Sequence, residues 1–219
     1  HADVASGRFD QAEFAADLVE QHRTDLKPLE ITQPEGPSFE VEGNLIRWQK
    51  WQFRFSVQPI EGLVLHDIRY DDGGRLRPIL HRAALSDMVV PYGDPSAMHG
   101  WKHALDASEA LLGYCANSLS LGCDCLGEIR YFDATLLNPD GSTRTTENAV
   151  CLHEEDYGIL WKHTNVFNPK LKPEVRRSRR LVISMIHTLG NYEYGFYWYF
   201  YQDGTIQFEV KLTGVVGVS

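Results

Sequence analysis

The stretch Ile46-Arg47-Trp48-Gln49-Lys50-Trp51-Gln52-Phe53-Arg54-Phe55 alternates apolar and polar side chains along most of its length. A period of two sends successive side chains to opposite faces of an extended chain, so it predicts a half-buried β-strand. Working outward, Leu63-Val64-Leu65-His66-Asp67-Ile68-Arg69-Tyr70, Leu181-Val182-Ile183-Ser184-Met185-Ile186 and Ile206-Gln207-Phe208-Glu209-Val210-Lys211 form further apolar or alternating runs. Turn formers separate them: Glu42-Gly43-Asn44, Asp71-Asp72-Gly73-Gly74, Pro139-Asp140-Gly141 and Asp203-Gly204. Gly, Asn and Asp reach the backbone conformations that tight hairpins need. Tyr-Gln-Asp-Gly-Thr at 201–205 reads as a hairpin turn between two adjacent strands. Aromatics make up 11% of the chain, including 10 Tyr and 5 Trp, and suit a pleated surface. The expectation is an all-β fold, a large β-sandwich with little helix and no internal repeat. The run Val215-Val216-Gly217-Val218-Ser219 stops within a strand pattern. That predicts a sandwich incomplete in this chain, with an edge that something else pairs with.

Two helical segments are predicted. Over residues 8–23, Phe9, Phe14, Ala15, Leu18 and Val19 share one face and acids the other, and Pro28, Pro34 and Pro37 follow as breakers. A shorter helical interruption is predicted over residues 107–112. The division expected is a helical lead-in over residues 1–26 and the β-sandwich over residues 27–219.

Composition narrows the function classes. The chain has 219 residues, 43% hydrophobic and 23% charged, with a formal net charge of −9. These are values of a packed domain rather than a disordered one. The acidic balance gives no general reason to bind phosphate backbones, so nucleic acid is not an expected partner. Nor is a membrane: no apolar stretch approaches the ~20 residues that would span a bilayer. The chain opens at His1 without Met or a basic-then-apolar leader, which reads as a processed form or a fragment.

The sequence lacks Gly-x-x-x-x-Gly-Lys-Ser/Thr, His-Glu-x-x-His, Gly-x-Ser-x-Gly and His-x-His. His99 and His103 could share a helix face, but such a pair alone is more often structural than metal-binding. Glu154-Glu155 and Asp71-Asp72 are adjacent, and neighbours in a strand point to opposite faces, so neither forms an acid/base pair. The arginines of residues 168–180 read as a solvated loop or an intramolecular ion-pair patch. Of the cysteines Cys115, Cys123, Cys125 and Cys151, the Cys-x-Cys spacing does not fit a zinc ribbon. A disulfide from Cys123 or Cys125 to Cys151 and a set of buried thiols both fit the spacing. By composition, residues 188–198 are a core aromatic strand behind a Gly-Asn turn.

The same segment, Thr188-Leu189-Gly190-Asn191-Tyr192-Glu193-Tyr194, resembles the cofactor motif of the copper amine oxidases. Further blocks resemble that family in the same order. They are Pro28-Leu29-Glu30-Ile31-Thr32-Gln33-Pro34-Glu35-Gly36-Pro37-Ser38-Phe39, Trp48-Gln49-Lys50-Trp51, Gly62-Leu63-Val64-Leu65-His66-Asp67 and Val90-Pro91-Tyr92-Gly93-Asp94-Pro95. Later come Leu121-Gly122-Cys123-Asp124-Cys125-Leu126-Gly127, His153-Glu154-Glu155-Asp156 and Trp161-Lys162-His163-Thr164. The resemblance covers roughly residue 25 to the end.

The resemblance implies a primary-amine oxidase: R-CH2-NH2 and O2 give aldehyde, NH3 and H2O2 through a Schiff base on a quinone. It implies that Tyr192 is the precursor of topaquinone and Asp106 the catalytic base. Tyr92 would hydrogen-bond the quinone, and Asn191 would help orient its ring. It implies a Cys125–Cys151 disulfide, with Cys123 spare and Cys115 buried, and a disulfide suits an extracellular or periplasmic space. It places a bulky gate where this chain has Ala104, so a wider substrate channel is expected. The family's copper(II) is held by three histidines, two of them in His-x-His, and this chain matches none of them. The expectation is therefore a second polypeptide carrying those histidines, in a dimer of such assemblies. The alternative is a non-catalytic structural or interaction subunit on the same scaffold.

Overall fold

Residues 25–168 and 170–215 are described by the computed structural model. The helix expected over residues 8–23 and the run Val216–Ser219 lie outside them. The chain separates into two compact units, His1–Glu30 and Ile31–Ser219. Of the first, residues 25–30 are described; they are exposed and without regular structure. All strands of the described residues belong to the second unit, and the described residues contain no α-helix.

Two five-stranded antiparallel sheets make the sandwich. The first holds β1 (Phe39–Glu42), β2 (Leu45–Trp48), β3 (Trp51–Gln58), β4 (Gly62–Asp72) and β5 (Arg75–Ala83), in that spatial order. The second holds β8 (Arg130–Leu137), β9 (Thr143–His163), β10 (Glu174–Leu189), β11 (Tyr192–Tyr201) and β12 (Ile206–Gly214), again as neighbours in sequence order. Between them in the chain, β6 (Val89–Pro91) and β7 (His103–Leu105) form a small two-stranded sheet. A meander of this kind needs only short turns, which is why the Gly, Asn and Asp clusters recur between the apolar runs.

Two expectations change. Residues 46–55 are not one strand: Gln49, at φ 53°, and Lys50 form a two-residue turn between β2 and β3, pairing Trp48 with Trp51. The pattern itself marks the break. Ile46 and Trp48 are buried at even positions, but Trp51, Phe53 and Phe55 at odd ones, because the turn resets which face is inward. Residues 107–111 form turns, and a single 3-10 turn, Leu112–Cys115, follows instead of a helix over 107–112.

The core lies between the sheets. Ile46, Trp48, Trp51, Phe53 and Leu65 from the first pack against Val150, Leu152, Leu181, Ile183 and Phe200 from the second. Phe53 and Phe200 stack at 4.4 Å between ring centroids. Such a ring pair adds about 1 kcal/mol beyond its buried area. Two polar atoms of the first sheet reach backbone carbonyls at the end of β11 and in the turn after it. Trp51 Nε1 donates to the Tyr201 carbonyl at 2.7 Å, and the Tyr70 hydroxyl to that of Gln202 at 3.1 Å. The arginines of the basic stretch lie on β10 and pair locally: Arg176 with Glu174, Arg177 with Asp156, Arg179 with Glu154 and Arg180 with Glu155. The stretch is an ion-pair patch on a strand.

Glu154 is the buried charge of this core. Its carboxylate accepts from Trp48 Nε1 at 2.8 Å, the Ser38 amide at 2.7 Å and Gln33 Nε2 at 2.7 Å. Burial alone would raise its pKa, but these donors and Arg179 outweigh it and hold the group below its usual value. Replacing it strands the buried Trp48 Nε1 without an acceptor and releases the part-buried donors of Ser38 and Gln33. Glu154→Ala is therefore expected to lower unfolding stability at pH 7 by about 3 kcal/mol, read by denaturant titration. A change within a few tenths would show that the three donors find water instead.

Candidate active site

The site is built on the β10–β11 hairpin. Gly190 and Asn191 form its two-residue turn, with Gly190 at φ 60°, a conformation costly for side-chain-bearing residues. Leu189 pairs with Tyr192 and Thr188 with Glu193. Across that second pair lies a clamp. Thr188 Oγ1 sits 2.8 and 2.9 Å from the two Glu193 carboxylate oxygens, and Asn117 Nδ2 donates to Glu193 Oε2 at 3.1 Å. Thr188 and Glu193 thus hold the turn from one face, leaving the other to Tyr192 and Tyr194. On the far side, Gly214 pairs with Tyr192, and the Val215 amide donates to the Asn191 carbonyl at 2.7 Å. A Cβ at Gly214 would stand 2.5 Å from that carbonyl oxygen, so only glycine lets β12 close on the turn.

The opposite wall comes from the small sheet. Tyr92 follows β6 and donates its amide to the Lys102 carbonyl at 3.1 Å; Asp106 follows β7 and donates its amide to Met88 at 2.9 Å. The antiparallel register of β6 with β7 sets Tyr92, opposite Lys102, and Asp106, opposite Met88, at the two ends of this small sheet. Tyr92, Asp106, Asn191 and Tyr192 all line one cleft of about 860 Å³. The four residues expected from the sequence are brought together. Ala104, opposite Val90 on β7, is not among the described residues lining it.

Around Tyr92 the cleft is polar. Its ring stacks on His99 at 5.8 Å, with the Lys102 ammonium 5.8 Å from its centroid. His99 Nδ1 lies 2.9 Å from Asp94 Oδ2. The Ser96 amide, then His99, hold Asp94 below its usual pKa. His103 is on β7 while His99 lies in a turn, so the two do not share a helix face.

One residue of the site carries no separate signal in the sequence analysis. Tyr194 donates its hydroxyl to Asp106 Oδ2 at 3.0 Å. Its place two residues after Tyr192 puts both rings on one face of β11, 6.4 Å apart, and that spacing was the available clue. Beneath them, Tyr194, Phe196, Leu189, Leu112 and Ala107 form a second apolar cluster.

Cys125 and Cys151 lie elsewhere, with Leu119, Ile186 and Tyr131, while Cys115 packs against the second cluster. Cys125 Sγ, Cys151 Sγ and a His153 ring nitrogen all fall within 4.8 Å of one another, and Cys151 Sγ is 3.3 Å from His153 Nδ1. Both cysteines are free thiols in this structure, so the expected disulfide is not formed, although the sulfurs are neighbours. Their hydrogen bond lowers the pKa of Cys125 and, with burial, raises that of Cys151. Cys123 is exposed, and Cys115 half-buried rather than buried. Among the described residues this trio is the one group of three or more ligand-type side chains, and none of it lines the cleft. No helix of the described residues is long and apolar enough to cross a membrane.

A family model described as "Copper amine oxidase, enzyme domain" matches residues 40–219. The histamine oxidase of Arthrobacter globiformis is 56% identical over 194 residues, covering 89% of this chain and 28% of that protein. The copper-containing peroxisomal diamine oxidase 1 of Nicotiana tabacum is 58% identical over 197 residues, 90% of this chain and 25% of that protein. Among solved structures, a copper-containing benzylamine oxidase from Hansenula polymorpha superposes with a TM-score of 0.85 at 42% identity. That match covers 95% of this chain and 32% of the other. The chain thus spans between a quarter and a third of the length of these relatives.

Under the second cluster, His187 is fully buried against Phe196 and donates from Nδ1 to the Leu112 carbonyl at 2.7 Å. Nε2 has no partner among the described residues, which suits a neutral ring. Burial lowers its pKa to about 4 from an ordinary 6.5. Because the folded value lies below the unfolded one, the unfolded chain takes up the proton first as pH falls. The folded state is expected to lose up to about 3 kcal/mol between pH 6.5 and 4. Denaturant titrations should show that loss reduced in His187→Gln; an equal loss in both would assign it to other groups.

Proposed function

This chain belongs to the copper amine oxidase family, and from that premise we propose that it carries the quinone-forming part of a primary-amine oxidase. The reaction converts R-CH2-NH2, O2 and H2O to R-CHO, NH3 and H2O2. One observation carries the reading: Tyr92, Asp106, Asn191 and Tyr192 line one cleft. A decayed, purely structural relative would have no need to keep all four.

The residues fit the quinone. Tyr192 is half-buried and lines a cleft roomy enough for an amine, together with Tyr92 and Asp106. When formed, the quinone supplies an electrophilic carbonyl and a sink for an electron pair. The remaining work falls to side chains. Asp106 takes the proton from the substrate's α-carbon, so the C–H bond breaks as a carboxyl O–H forms. Tyr92 donates its hydroxyl to the ring oxygen that gains charge. Asn191, at the turn, limits the rotation of the neighbouring ring. The clamp of Thr188, Glu193 and Asn117 keeps that turn from fraying.

The residues do not fit copper. The cleft offers His99, already bonded to Asp94, and none of the thiol trio. We assign the copper ligands to histidines outside these residues, in the part of the relatives' length that this chain does not span. The Cys125–Cys151 disulfide is proposed for the mature protein, since the sulfurs already face each other.

Phenylhydrazine traps quinone carbonyls as coloured adducts. The aerobically matured, copper-replete protein is expected to bind it, and Tyr192→Phe to bind none. Asp106→Asn should keep the adduct while amine turnover falls on the order of 10³-fold. A Tyr192→Phe protein that still binds the hydrazine would contradict the assignment. So would an Asp106→Asn protein with undiminished turnover.

A further inference from the structure

The base in the cleft is not held by its own loop alone. Asp106 follows β7 and is tied there by its amide. Its carboxylate accepts a hydrogen bond from Tyr194, which belongs to β11, the strand that carries Tyr192. This bond engages Oδ2 of the carboxylate at 3.0 Å. Tyr194 is well placed to act as a fixed point. Its ring is 6% exposed, lies parallel to Phe196 at 6.4 Å, and sits in the cluster with Leu112, Ala107 and Leu189. Burial, then the bond to Asp106, raises its phenol to about 12, so it stays a donor throughout the working range.

Resting on the amine oxidase reading, we infer that Tyr194 is the positioning residue for Asp106. Its hydroxyl pins Oδ2 and leaves Oδ1 as the oxygen that takes the substrate proton. The bond also ties the orientation of the base to the strand presenting Tyr192, so base and ring keep one mutual geometry. Proton abstraction is sensitive to such placement: a 1 Å displacement can cost 10²-fold.

The test uses the matured, copper-replete protein and its Tyr194→Phe variant, which keeps the ring and removes the donor. Turnover of benzylamine is divided by quinone content from hydrazine titration. Per quinone, kcat should fall on the order of 10- to 10²-fold, with KM changed less than about twofold. The isotope effect with α,α-dideuterated benzylamine should rise as abstraction becomes slower than other steps. An unchanged kcat and isotope effect per quinone would overturn the assignment, as would a loss confined to KM. A second readout needs no cofactor. In protein with ¹³C-labelled tyrosine, NMR should show a slowly exchanging Tyr194 hydroxyl proton that disappears in Asp106→Ala. Its absence from the unsubstituted chain would remove the hydrogen bond and the proposal with it. A wild-type protein lacking quinone but showing that hydroxyl would instead refute the parent reading.

Discussion

The register of the β10–β11 hairpin is the constraint on which the site depends. Side chains alternate faces along a strand, so a slip of one residue would turn Tyr192 and Tyr194 away from the cleft and bring Glu193 into it. The turn at Gly190-Asn191 sets that register. Thr188, Glu193 and Asn117 lock it from the polar face, and Gly214 lets β12 close behind it. These residues have no reacting atom of their own. They fix where the reacting ones stand.

The rest of the sandwich makes that hairpin rigid. β10 is the central strand of its sheet, and its inner residues Leu181, Ile183 and Met185 are fully buried. The buried carboxylate of Glu154 is answered from the other sheet by Trp48 and from the segment before β1 by Ser38. A well-packed interior transmits strain rather than absorbing it. The position of Tyr192 relative to Asp106 is thus tied through Tyr194 to the packing of the second apolar cluster.

Much of this was legible in the sequence, and the misses have physical causes. Alternation and turn residues located most of the large strands, because a half-buried sheet leaves a period-two trace. The break at Gln49-Lys50 was hidden, since no Gly or Asn marks that turn; only the parity change between Trp48 and Trp51 records it. The helix expected over residues 107–112 failed because the apolar residues there, Ala107 and Leu112, are held in the second cluster by tertiary packing. The four cleft residues were nameable from the resemblance alone. No periodicity links Tyr92, Asp106 and Tyr192, which come from three separate elements. Tyr194 was read as core, and it is core; its hydroxyl at the edge of that core is what reaches Asp106.

The central claim is chemical: the phenol at position 192 is remade into a quinone. Peptide mass spectrometry of the aerobically matured, copper-replete protein addresses it directly. The account predicts that the peptide containing Tyr192 gains two oxygen atoms and loses two hydrogens, with Tyr194 in the same peptide unchanged. An unmodified tyrosine at position 192 in that preparation would contradict it.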